Sequence, residues 1–159
     1  MSTIEFTLPL FSLQSPYQQL MTIINNGGKL IGTISASTVP NYQVPNAPDR
    51  PNLDEYPIIC GGMYSGVFKG TGHNLTYPAI VLEDNGNIPI YQGGNPRFPS
   101  QGKNATFIHI HEGGESWRGS AGCLTMAPGG SKFISHIFAE DEPVLVIIPD
   151  PFWFAFEGK

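Results

Sequence analysis

Apolar side chains fall at every second position in Ile4, Phe6, Leu8 and Leu10, the spacing of a strand with one buried face. Pro9 interrupts that run, and a residue with no ladder donor is tolerated at a sheet edge. Residues 1–19 are therefore expected to form an N-terminal extension or edge strand. From Ser15 the pattern carries two signals. Ser15-Pro16-Tyr17-Gln18 has the capping serine and first-turn proline of a helix start, and Tyr17, Leu20, Met21 and Ile24 follow helical spacing. Asn25-Asn26-Gly27-Gly28 is a strong hairpin turn, because Asn and Gly accept positive φ at little cost. Leu30-Ile31-Gly32-Thr33-Ile34 then reads as a strand. The turn chemistry favours a hairpin that pairs 20–24 with 29–35 over the helix.

Further along, residues 40–56 are rich in Pro, Asn and Asp and read as a long loop or flap. Tyr77-Pro78-Ala79-Ile80-Val81-Leu82 reads as a strand, residues 83–87 as its turn around Asn85-Gly86, and Ile88-Pro89-Ile90-Tyr91 as its hairpin partner. Thr106 to His111 forms another strand that ends at Gly113-Gly114. Ser131 is placed to cap a short helix whose apolar stripe is Phe133, Ile134, Ile137 and Phe138, with His136 off the stripe at the surface. Pro143 to Ile148 reads as a buried aliphatic strand. The tail, 149–159, is dense in aromatics and predicts either a covering strand in the core or, if exposed, a partner-binding strand.

Composition sharpens this picture. The 159 residues fit one domain, and 40% apolar content supports a packed core. With 19 Gly, 15 Pro and only 13% charged residues, the chain predicts many turns and few long helices. The expected fold is mainly β with short helices. A net charge of −5, with no Lys/Arg run, argues against nucleic acid as a partner. No stretch has the length of an apolar membrane span, and Met1-Ser2-Thr3-Ile4-Glu5 lacks the basic start of a signal peptide. Of the two cysteines, Cys60 lies in an apolar run and reads as a small buried hydrophobe, and a Cys60–Cys123 bridge is the lesser reading. His73, in a Gly/Asn turn, reads as a solvent-facing loop residue.

The chemistry concentrates in Thr106-Phe107-Ile108-His109-Ile110-His111-Glu112-Gly113-Gly114 and Ser120-Ala121-Gly122-Cys123-Leu124. On a strand His109 and His111 share one face. A thiol near an imidazole becomes a thiolate at neutral pH, so Cys123 and one of these histidines form a candidate nucleophile–base pair. Gly122 allows close backbone approach, and the amides about Gly122 and Cys123 are candidates for an oxyanion hole. Ser120 is suited to hydrogen-bonding within that turn, Arg118 to a substrate carboxylate, and Trp117 to a pocket wall. The alternative for the histidines is zinc, with Glu112 or Cys123 contributing; no third and fourth ligands stand out, and no metal is expected.

These two segments resemble the signature of the L,D-transpeptidase (YkuD-type) catalytic domain: a histidine–glycine element, a variable loop, then S-x-G-C and an aliphatic residue. His111-Glu112-Gly113 matches the first element with one residue inserted, and Ser120-Ala121-Gly122-Cys123-Leu124 matches the second. Ala121 stands where the family often has histidine, and Thr125-Met126 where it usually has arginine or asparagine. Ser35-Ala36-Ser37-Thr38 and the Gly61 to Gly70 segment are looser echoes, and the likeness covers about residues 20–148. It implies a mixed β-sheet or sandwich fold of the L,D-transpeptidase type, a single catalytic domain over 1–159, and His111 ahead of His109 as the base, with His109 bridging, orienting or packing.

The resemblance further implies a thioester enzyme needing no cofactor, which acts on the peptide stems of bacterial peptidoglycan as transpeptidase or carboxypeptidase. A chain read as lacking a signal peptide suggests an antibacterial effector or phage enzyme made in the cytoplasm and delivered to the periplasm or cell wall, with an immunity or delivery protein as partner. The competing readings are a non-enzymatic β-rich module of a virion or secretion apparatus and a cysteine peptidase of another lineage.

Overall fold

A computed structural model describes residues 1–8, 17, 19–38, 58–70, 77–83, 88–91, 104–105, 108–114 and 124–150. The chain is mainly β with one short helix among these residues. Its strands are β1 (Ser2–Phe6), β2 (Gln19–Ile24), β3 (Leu30–Ser37), β4 (Ile58–Ile59), β5 (Gly62–Lys69), β6 (Ala79–Leu82), β7 (Ile88–Tyr91), β8 (Asn104–Ala105), β9 (His109–Glu112), β10 (Leu124–Met126) and β11 (Pro143–Ile148), with helix α1 (Gly130–Ile137) between the last two. Eight strands close into a barrel in the order β1-β11-β5-β6-β9-β10-β3-β2, and β4-β7-β8 form a small separate sheet.

The β2–β3 hairpin forms as its turn chemistry predicts. The Asn25 carboxamide oxygen accepts from the Gly27 and Lys29 amides, and Gly28 takes φ 83°, a conformation open to glycine. Met21 and Ile23 alternate inward, so residues 19–24 are a strand and not part of a helix, while Ser15, Pro16 and Gln18 lie outside the described residues. β1 differs from expectation: it is not an edge, because it pairs with β11 in parallel and with β2 antiparallel and so closes the barrel. Ile4 and Phe6 point into the core, whereas Leu8, beyond the strand, is exposed.

The barrel interior is filled by alternate side chains of each wall strand. Ile4, Met21, Ile23, Ile80, Ile110, Leu124, Met126, Val144 and Val146 belong to one apolar cluster. Ile134 and Phe138 of the α1 segment join it, with Phe133 and Ile137 packed against them, which is the expected stripe. His136 is exposed, also as expected. Ser131 is not the cap; Gly129 occupies that position with no side-chain bond of its own. β11 alternates between buried and half-exposed positions instead of being buried throughout. Cys60 is a thiol outside any disulfide, and it is partly exposed rather than buried.

A second difference concerns β7. It pairs with β4 and β8, not with β6. The reason lies in β6, whose four residues are all buried and whose two edges are taken by β5 and β9. Among the described residues no helix is long and apolar enough to cross a membrane.

Candidate functional site

The buried polar side chains of the described residues gather on one side of the barrel. Gln19 lies on β2, Ser37 on β3 with Thr38 just after it, Thr125 on β10, and His109 and His111 on β9. These four strands are contiguous in the wall. Because side chains alternate, Ile108 and Ile110 enter the core and the two histidines take the opposite, outer face. Each histidine is only 8% exposed, so the outer face is covered there.

The histidine rings are 5.3 Å apart between centroids, as their common face predicts. Tyr77, just before β6, completes the group, with its ring 5.6 Å from that of His111 and 6.4 Å from that of His109. Its hydroxyl lies 3.5 Å from His109 Nε2.

His111 Nδ1 is 2.9 Å from the backbone oxygen of Glu112. A carbonyl oxygen only accepts, so Nδ1 carries the proton of the neutral ring and Nε2 keeps its lone pair. Burial holds the His111 pKa below the ordinary imidazole value, and the Glu112 carbonyl offsets part of that shift. His111 is therefore a neutral imidazole at neutral pH with a basic Nε2.

The surrounding wall is braced by polar contacts. Gln19 Oε1 accepts from the Thr38 amide at 2.8 Å and from its hydroxyl at 3.0 Å, while Gln19 Nε2 donates to the Thr7 oxygen. The Tyr17 hydroxyl donates to the Gly114 oxygen at 2.7 Å, and Gly113 N–H donates to the Met126 oxygen at 2.8 Å. Together these hold the end of β9 where the chain leaves the barrel. Thr125 is in register with His111 on one side and Ser37 on the other. Its hydroxyl is buried and has no hydrogen-bond partner among the described residues.

Of the residues singled out from sequence, the structure brings His109 and His111 together. Cys123, Gly122, Ser120, Arg118 and Trp117 lie outside the described residues, as do His73, Pro9 and the tail from 151. The chain resumes at Leu124, bonded to Cys123, and there β10 runs parallel to β9 with Leu124 beside Ile110. Glu112, considered as a zinc ligand, instead caps α1: its Oε1 accepts from the Gly129 and Ser131 amides. Among the described residues no group of three or more His, Cys, Asp or Glu side chains is arranged to hold a metal. Tyr77, Thr125 and Gln19 were not anticipated. The one signal for them was Thr125's place two residues after Cys123.

The fold and site thus define a mainly β barrel protein with a buried histidine pair on its outer wall. Comparison with family models, curated proteins and solved structures finds no match to the chain.

Proposed function

We propose that the protein is a cysteine-dependent L,D-transpeptidase or L,D-carboxypeptidase acting on peptidoglycan stem peptides, with the mixed sheet of that catalytic domain type. The observation that carries the reading is His111: a neutral imidazole with its Nε2 lone pair available, on the strand that pairs with the one beginning directly after Cys123. The motif resemblance supplies the substrate class.

In this reading His111 Nε2 takes the thiol proton of Cys123 and the thiolate attacks an amide carbonyl of the stem. The carbon–nitrogen bond breaks, the amine leaves with the proton from His111, and a thioester remains. An amine acceptor or water, deprotonated by the same nitrogen, then releases the acyl group. Backbone amides about Gly122 and Cys123 stabilise the oxyanion, and Ser120 braces that turn. Arg118, Trp117 and His109 bind substrate. The proposed setting is an antibacterial effector or phage enzyme delivered to the periplasm or cell wall, where an immunity or delivery protein is its partner.

Incubation with purified muropeptides, followed by mass spectrometry, tests the reading. Loss of D-alanine, or its exchange for another D-amino acid, is expected with the native chain and absent with Cys123→Ala. Intact tetrapeptide and pentapeptide stems in the presence of folded protein would sink it. The setting is tested separately: chain directed to the periplasm of a Gram-negative host should lyse the cells, and the Cys123→Ala form should not.

A further inference from the structure

Glu112 stands where three elements meet. It is the last residue of β9 and pairs with Met126 of β10. Its Oε1 accepts from the Gly129 amide at 3.0 Å and the Ser131 amide at 2.9 Å. These N–H groups begin α1, where amides have no carbonyl partner inside the helix, and α1 has no side-chain cap of its own. The acidic group also suits the positive end of the helix dipole. The backbone oxygen of the same residue accepts from His111 Nδ1 at 2.9 Å.

Both contacts hang on one Cα. The direction of the Glu112 carbonyl is set by the peptide plane between Glu112 and Gly113. That plane is held on one side by the carboxylate on α1 and on the other by Gly113 N–H on the Met126 oxygen. We infer that Glu112 is a positioning residue that ties the docking of α1 to the tautomer of His111. With the carboxylate anchored, the carbonyl faces Nδ1 and the lone pair stays on Nε2. With the anchor gone, Gly113 N–H alone holds that plane, the carbonyl's hold on Nδ1 weakens, and the ring shifts toward the Nε2–H form. That form has no Nε2 lone pair with which to take a proton. The consequence for catalysis rests on the proposed cysteine chemistry; the link between helix and tautomer does not.

The test uses the full chain labelled with ¹⁵N-histidine, at a pH where the imidazole is neutral. Long-range ¹H–¹⁵N spectra should show His111 as the Nδ1–H tautomer in the native protein. In Glu112→Ala the ratio should move severalfold toward Nε2–H, with faster amide exchange at Gly129 and Ser131. Glu112→Gln keeps an oxygen for both amides and should largely restore the native ratio. If Glu112→Ala does not fold, Glu112→Asp carries the test: its carboxylate is one methylene short of the Gly129 and Ser131 amides, so amide protection and the Nδ1–H fraction should fall together. Loss of protection at those amides with an unchanged ratio, in either variant, overturns the inference, as does a native Nε2–H ring. On stem peptides, kcat should fall about tenfold or more in Glu112→Ala with little change in KM. A chain inactive on stems leaves the spectra decisive, so the two failures are told apart.

Discussion

Thr125 and His111 face each other across neighbouring strands and make opposite demands on the fold. The Thr125 hydroxyl is buried without a partner among the described residues, and an unsatisfied buried group costs on the order of 1–3 kcal/mol. Thr125→Val keeps the shape and removes the cost, so urea denaturation should show a gain of about 1 kcal/mol. A loss would mean that the hydroxyl is bonded in solution. His111 makes stability depend on pH. Its pKa is lowered in the folded protein, so the unfolded chain takes up a proton first, near the ordinary value of about 6.5. The contribution is neutral above that value. Stability then falls with acidification until native His111 also protonates. The urea midpoint should therefore drop between neutral pH and mildly acidic pH, and drop less in His111→Asn. Equal slopes in the two proteins would show that His111 is not the group responsible.

At the scale of elements, legibility followed locality. The β2–β3 hairpin was readable because its turn is made within five residues, by the Asn25 side chain and Gly28. The common face of His109 and His111 was readable from strand alternation alone. β1 was misjudged as an edge because of Pro9, yet the strand ends at Phe6 and the proline places no restriction on its ladder. β7 was assigned to its nearest neighbour in sequence, while β6 had both edges filled by strands remote from β7. Tyr77, Thr125 and the capping role of Glu112 depend on contacts between distant segments, which periodicity does not encode. The helix offers a direct check on packing. A Cβ on Gly130 would lie 2.4 Å from the Cβ of Met126, so the start of α1 needs a residue without one. Gly130→Ala should cost about 1–3 kcal/mol through overpacking. Thermal unfolding measures it, and an unchanged midpoint would show that α1 docks less closely.

The whole molecule depends on closure. β1 occupies the gap between β11 and β2, and its removal would leave two unpaired edges and lose the buried Ile4 and Phe6. Deleting residues 1–7 should give a chain that associates at concentrations where the native protein is monodisperse. Light scattering reads the difference, and a stable, monodisperse deletion would show that the remaining seven strands suffice.

The register between β1 and β11 also has a temporal consequence. Ser2 pairs with Val144, so β1, which can meet β2 early, meets its parallel partner β11 only after all the intervening strands have been made. The β2–β3 hairpin forms early, since its partners are close in sequence, but the ring cannot be sealed before β11 has been made. Contacts of such separation make folding slow, because the entropy of bringing the ends together is spent before the contact repays it. Until then the chain is an open sheet with β1 paired on one side only, and the barrel is finished when β11 arrives beside β1.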